Sequence, residues 1–280
     1  MAKGNRKKLK VSQVLILIFL IVLVVVYLAP LLWIIIVSLK TNSELTLDPF
    51  GIPKELHWEN FKEAWEKAYL GVALRNSVIV CSATLVVSLL FGSMAAFAIG
   101  RMRWKFSGAM MTYFLVGMMI PVHCVLIPLY VQFSKIKMTD SLISIIIPYI
   151  TFSLPITIYI MVGFFRSMPG ELFEAACIDG CNIYRCFFTI ALPLSKTGLF
   201  VTGLMTFVGN WNELLLALVF ISDKMKKTLP VTLSYFAGPY KTNYVQMFAA
   251  ILIAIAPNVI VYCIFSNQIV EGLTVGAVKG

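Results

Sequence analysis

Six long stretches without a charged residue, separated by short polar segments, organise this chain. They cover 11–39, 76–100, 106–134, 141–165, 197–222 and 242–270, the fifth interrupted only by Glu213. Each exceeds the ~20 residues that a helix needs to cross the hydrocarbon core, where only helices and closed barrels satisfy their backbones. Barrel strands would be about half as long and would alternate polar with apolar positions. These runs do neither. The pattern predicts an all-α membrane protein with six transmembrane helices.

Between the first two runs the pattern changes. Trp58, Phe61, Trp65 and Tyr69 recur at intervals of three and four, with Glu59, Lys62, Glu63 and Glu66 between them. That spacing predicts an amphipathic helix whose aromatics suit a headgroup interface or the protein beneath. Pro49, Gly51 and Pro53 make a turn-rich approach to it. There is no internal repeat, no low-complexity tract and no second soluble domain.

Composition agrees with the pattern. The chain of 280 residues is 60% hydrophobic and 13% charged, against roughly 25% charged in soluble domains. Its net charge of +10 would suit nucleic acid. However, the basic residues sit between apolar runs, where they meet headgroups, and are not interleaved with aromatics on a polar face. Nucleic acid is therefore not an expected partner; the lipid bilayer is. Of the six cysteines, Cys177, Cys181 and Cys186 are close in sequence, but they lack CxxC spacing and a nearby histidine. Neither a metal site nor a disulfide framework is expected.

Lys3, Arg6, Lys7, Lys8 and Lys10 precede the first run. A secretory signal would have a shorter apolar core and a small-x-small cleavage site, so 11–39 reads as an uncleaved anchor with a possible kink at Pro30. With both termini inside, the inner segments carry 12 Lys/Arg and the outer ones 11. The five basic residues at 1–10 and the acid-free cluster Arg101, Arg103 and Lys105 lie close to the membrane and favour cytoplasmic termini.

The segment between the fourth and fifth runs is built differently. Pro169 suits a first helical turn, and Glu171 and Glu174 suit its positive end. Gly180 can take the left-handed conformation that ends a helix, and Asn182 can cap the next one. A short helix, a tight turn and a second short helix are predicted. Ala175 and Ala176 make one side of the first helix thin enough for close approach to another surface. Phe173, Ile178, Phe187 and Phe188 would be costly to leave in water.

This segment resembles a known family. Glu174, Ala175 and Ala176, then Asp179-Gly180, then Ile190, Leu192 and Pro193 match the EAA loop of permeases in bacterial ATP-binding-cassette importers. Cys181 stands where that family has a small residue. Trp211-Asn212-Glu213 and the ending Gly272-Leu273-Thr274-Val275-Gly276-Ala277-Val278-Lys279-Gly280 resemble the carbohydrate-uptake, maltose- and lactose-type branch. Asn60-Phe61, Arg75-Asn76-Ser77 and the stretch from Pro121 to Tyr130 also fit it.

The resemblance implies a permease subunit of an ATP-driven importer of an oligosaccharide or related polyol, in the bacterial plasma membrane. Segment 166–196 would be its cytoplasmic ATPase-coupling loop. Expected partners are ABC ATPase subunits, a second, different permease subunit that makes a heterodimer, and an extracellular or periplasmic sugar-binding protein. No GxxxxGK[ST] loop occurs, so ATP is expected on a partner subunit and no cofactor in this chain. The parts are then a basic N-terminus 1–10, an outer loop 40–75, a permease core 76–270 and a cytoplasmic tail 271–280.

Candidate translocation-path residues come from the fifth run. Gly198, Thr202, Thr206, Gly209 and Glu213 form a small, polar face at helical spacing, with Trp211 and Asn212 as candidate sugar contacts. The same face could equally be helix packing. An acid within a span costs ~2.5 kcal/mol or more, so Glu213 should face a cavity or a partner, with a structural role favoured. His123, near Pro121 and Pro128, reads as a packed residue beside a kink. Pro148, Pro155 and Pro257 mark expected bends.

Two other function classes stay open at this point. An ion-coupled secondary transporter would show paired intramembrane acids or half-helix ion sites, and Glu213 stands nearly alone. A membrane enzyme would need a catalytic constellation that the two histidines and scattered acids do not supply. An amino-acid or peptide permease of the same class is the nearest alternative.

Overall fold

A computed structural model describes residues 11–236 and 242–277, without the side chains of 267 and 269–277. The basic N-terminus 1–10 and the last three residues of the chain lie outside the described residues.

Helices follow the apolar runs closely. They are α1 (Val11–Ser38), α2 (Asn42–Leu47), α3 (Glu59–Lys67), α4 (Leu70–Arg101), α5 (Ser107–Met118), α6 (Val122–Lys135) and α7 (Leu142–Ser167). Next come α8 (Glu171–Ile178), α9 (Ile183–Cys186), a π turn over Phe187–Ala191, α10 (Leu192–Leu194), α11 (Lys196–Trp211) and α12 (Leu215–Phe220). The series ends with α13 (Leu229–Thr232) and α14 (Tyr244–Ala277). Among the described residues four helices are long and apolar enough to span a bilayer, and two bent pairs, α5 with α6 and Ile183–Leu194 with α11, raise the number to six if each pair is one span.

The chain divides into two compact units. Of the described residues, the first holds 11–68, 235–236 and 242–253. Here α1 is apolar on all sides, and 28 residues reach about 42 Å. In α3 the buried face is Asn60 and Ala64, while Trp58 and Trp65 are exposed. The aromatic side expected either in headgroups or on the protein thus turns away from the protein. Asn60 explains the choice: its amide donates to the Ser38 and Lys40 carbonyls, 2.9 Å each, which the end of α1 leaves unpaired.

The second unit holds 69–234 and 254–277, and its axis is the packing of α4 on α7. At one end Phe97 of α4 and Phe165 of α7 meet edge to face, 5.6 Å apart, among Ile158, Met161 and Val162. At the other end Val80, Ile145 and Tyr149 join Leu216, Phe220 and Val231.

Four helix boundaries depart from the apolar runs. α4 begins at Leu70, six residues before the run. Arg75 interrupts the apolar run but is exposed, so it need not interrupt the helix. Asn76 donates to the Met225 and Lys227 carbonyls, and Ser77 accepts from the Leu229 amide. The run 106–134 is two helices bent by 93°. Pro121, without an amide proton and disfavouring helix at the residue before it, sits at the break. The run 197–222 is also interrupted, since α11 stops at Trp211 and α12 starts at Leu215. α14 continues to Ala277 past a non-helical Phe265, so most of the expected tail is helical. By contrast α1, α7 and α14 run through Pro30, through Pro148 and Pro155, and through Pro257.

Candidate functional site

The segment joining α7 to α11 is a hairpin whose turn follows from local chemistry. Glu171 and Glu174 lie in the first turn of α8, where carboxylates offset the positive helix end. At the other end Gly180 has φ 74. Its amide donates to the Cys177 carbonyl at 3.1 Å, and the Cys181 amide to the Ala176 carbonyl at 2.9 Å. These two bonds satisfy carbonyls that the helix end orphans, and they require a left-handed residue between them. Asn182 then caps α9, its side-chain oxygen accepting from the Arg185 amide at 2.9 Å.

Packing fixes one side of this hairpin. Ala176, Cys186, Phe187 and Ala191 are buried against α4 and α7. Phe97 is central, with the rings of Phe173 and Phe187 at 5.9 and 5.5 Å. Arg101, at the end of α4, lies 4.9 Å from the Phe173 ring and donates to the Met168 carbonyl. The other side is open. Ile178 is 86% exposed, and Ile183, Tyr184 and Phe188 are exposed as well.

The residues singled out by the motif divide between these two sides. Glu174, Ala175, Asp179, Gly180 and Pro193 are exposed; Ala176 is buried, and Ile190 and Leu192 are partly buried on the core. Both alanines border a shallow groove of about 300 Å³, Ala175 exposed and Ala176 buried, together with Leu172, Asp179, Arg185, Thr189 and Ile190. Phe173 and Phe187 find cover within the chain, so of the four large residues only Ile178 and Phe188 remain for an outside surface. Among the described residues no three metal-binding side chains converge, and the Cys186 thiol lies 3.8 Å from the Cys181 carbonyl as donor.

The break between α11 and α12 is the second site. Glu213 lies in it, not within a continuous helix. Its Oε1 accepts from the Leu216 amide at 2.8 Å and its Oε2 from the Ala217 amide at 3.3 Å. The Tyr149 hydroxyl of α7 donates to the same Oε2 at 2.5 Å. The carboxylate is thus an acceptor for three donors that the break would otherwise strand. Sequence reasoning missed Tyr149; an acid within a span requires a partner, and a mid-span tyrosine was the available signal.

Its neighbours have different fates. Trp211 is buried and donates from Nε1 to the Ala254 carbonyl at 3.1 Å. Thr202 and Thr206 are buried, and their hydroxyls have no hydrogen-bond partner among the described residues. On the same helix Gly198 lies against Phe164, whose ring would be 2.6 Å from an added Cβ. From Gly198 to Thr206 this face packs inside the chain, whereas Gly209 is exposed with nothing within 4 Å of an added Cβ. Asn212 is exposed as well, and its Oδ1 accepts from Asn258 at 3.1 Å. His123, expected to be packed, is exposed in the first turn of α6.

Two further features frame the helices. A cavity of about 550 Å³ opens where α5 and α6 bend beside α7, with Tyr113, Phe114, Phe133 and Phe152 in its wall. Beyond α12, the Asp140 carboxylate accepts from the Ser222 and Asp223 amides at 3.0 and 2.9 Å, and Lys226 donates to the Asp140 carbonyl. The Asp223 amide in particular holds the Asp140 carboxyl below the usual aspartate range, aided by Ser222 and Lys226.

Comparison with known proteins adds independent findings. Residues 88–268 match the model of the binding-protein-dependent transport system inner membrane component. The chain is 31% identical to the diacetylchitobiose uptake system permease protein of Streptomyces coelicolor, over 99% of this chain and 91% of that one. It is 34% identical to the trehalose transport system permease protein of Mycobacterium tuberculosis, over 90% and 93%. It is 33% identical to a sulfoquinovosyl glycerol transport system permease protein of Agrobacterium fabrum, over 92% and 91%. The fold is similar to the crystal structure of a bacterial ABC transporter involved in the import of the acidic polysaccharide alginate. That match has a TM-score of 0.80 at 19% identity and covers 93% of this chain and 99% of the solved one.

Proposed function

The chain belongs to the family of binding-protein-dependent transport system inner membrane components, and from that premise we propose that it is the permease subunit of an ATP-driven sugar importer. The observation that carries the reading is the α8–α9 hairpin. One side is welded to α4 and α7, and the other presents Ile178, Ile183, Tyr184 and a groove that nothing among the described residues covers. A partner that seated this side and moved would transmit displacement to the two longest-packed helices of the unit. The absence of a phosphate loop from the sequence assigns ATP to that partner, an ABC ATPase subunit, with no cofactor in this chain. ATP supplies the differential binding that a switch between two states needs.

Seating the hairpin on a cytoplasmic ATPase sets the topology, with both termini cytoplasmic and Asp140 and Lys226 on the outer face. A second permease subunit and an extracellular or periplasmic sugar-binding protein complete the assembly. Sugar or a related polyol as cargo is supported by the relatives' printed substrates. Within the chain, the exposed Asn212 amide and the aromatic wall of the 550 Å³ cavity suit hydroxyl and stacking contacts.

Co-purification of the chain with its ATPase subunit, before and after Gly180→Val, tests the reading. Loss of sugar-stimulated ATP hydrolysis and of the complex is expected. A fully coupled complex with Gly180→Val would remove the hairpin from the mechanism.

A further inference from the structure

Residues 40–57 leave α1 and return to it as a short hairpin, and its tip lies beside the membrane helix. The return is set by two hydrogen bonds. The Trp33 indole of α1 donates to the Pro49 carbonyl at 3.0 Å, and the His57 amide donates to the Leu39 carbonyl at 3.0 Å. The chain therefore descends along α1 to the level of Trp33 and climbs back to the level of Leu39. Trp33 precedes the end of α1 by five residues, so the tip lies about 7–8 Å below that end. The Phe50 ring is 6.1 Å from the Trp33 ring.

Depth and composition agree at this tip. α1 reaches about 42 Å, and a hydrocarbon core of roughly 30 Å leaves about 6 Å of helix beyond each boundary. Trp33 then stands at the boundary, where indoles concentrate. Around the tip Leu47, Phe50 and Ile52 are 86%, 83% and 86% exposed, more than almost any apolar side chain of α1 itself. Polar groups there are partnered within the loop, with Asp48 itself exposed at the headgroup level. The Asp48 carboxylate accepts from the Gly51 amide at 2.9 Å, and Lys40, only 1% exposed, donates to the Asp48 carbonyl at 2.7 Å.

We infer that residues 47–52 are an interfacial anchor, inserted into the lipid leaflet at the C-terminal end of α1. The occupant of this apolar surface is lipid because the surface continues that of α1, none of whose central residues is buried within the chain. Lys40 is its positioning residue, holding the tip against the helix. The anchor fixes the depth of α1 and α3 and depends only on α1 spanning the bilayer, not on cargo or orientation.

The test places the photoreactive p-benzoyl-phenylalanine at position 50, in the full chain co-expressed with its partner subunits in native membranes. Position 27 in mid-α1 serves as the lipid-facing control, and exposed position 54 serves as the aqueous one. Irradiation should yield phospholipid adducts at 50 in amounts approaching those at 27 and several-fold above those at 54. Adducts to a protein chain would overturn the inference and make the tip a subunit contact. A yield at 50 no higher than at 54, with position 27 reacting, would overturn it in favour of water.

Discussion

The α8–α9 hairpin and the α11–α12 break are both interruptions of helix, yet they are held by different kinds of interaction. The hairpin turns on bonds between residues no more than five apart, through Gly180 and Asn182. The break is held by Glu213, whose partners include two amides ahead of it and a hydroxyl 64 residues away on α7. The first is legible from local rules and tolerant of its surroundings. The second is completed only by another helix lying alongside.

That contrast breaks most sharply at Glu213. Glu213→Ala leaves two amides and the Tyr149 hydroxyl without their acceptor in a half-buried site, and about 2–3 kcal/mol of stability should be lost. Thermal unfolding of the purified permease complex measures it, and Glu213→Gln should recover most of the loss. Unchanged unfolding would mean that α12 does not depend on the carboxylate.

Next in size is Gly180. No atom lies within 4 Å of an added Cβ, so space is not the constraint and conformation is. Gly180→Val should cost about 1–2 kcal/mol in the left-handed region, while Gly180→Asn, which tolerates that region, should be nearly silent. Equal effects from both would mean that bulk, not φ, matters. Asn182→Ala removes the cap of α9 and should cost about 1 kcal/mol, visible as faster hydrogen exchange confined to 183–186. Protection lost across α7 as well would show that the hairpin is less local than its bonds.

Tyr149→Phe removes one donor to Glu213 and leaves both backbone amides paired. A loss of about 0.5–1.5 kcal/mol is expected, smaller than Glu213→Ala and absent in its presence. Additive losses in the double variant would separate the two residues. The smallest effect is at Asp140. Its carboxyl titrates below the usual aspartate range when folded, so its contribution is present above the unfolded value and is lost as pH falls through the folded one. Asp140→Asn should flatten that acidic slope in a stability profile and leave neutral pH almost unchanged.

Much of the chain was readable in advance. Residues 11–39 and 141–165 bound α1 and α7 to within about two residues, because a charge-free run and the bilayer impose the same length. Gly180 and Asn182 were readable because a left-handed carbon and a side-chain cap are properties of one or two residues. Elsewhere, charge was a poor guide to helix ends. Arg75 stopped the apolar run but not α4, and the uncharged runs 106–134 and 197–222 concealed breaks at Pro121 and at 212–214. Of two alanines adjacent in sequence, Ala175 stayed exposed and Ala176 was buried, although both border the same groove.

By itself the sequence determined that this protein spans a membrane, where its apolar runs lie and where its hairpin turns, since hydropathy and backbone conformation are local quantities. Tertiary structure alone decided which polar groups are spent on holding the fold. Thr202, Thr206 and Trp211 went inside, Asn212 stayed open, and Glu213 found Tyr149. Burial and hydrogen-bond partnership depend on which helix lies opposite, and no run of residues contains that information.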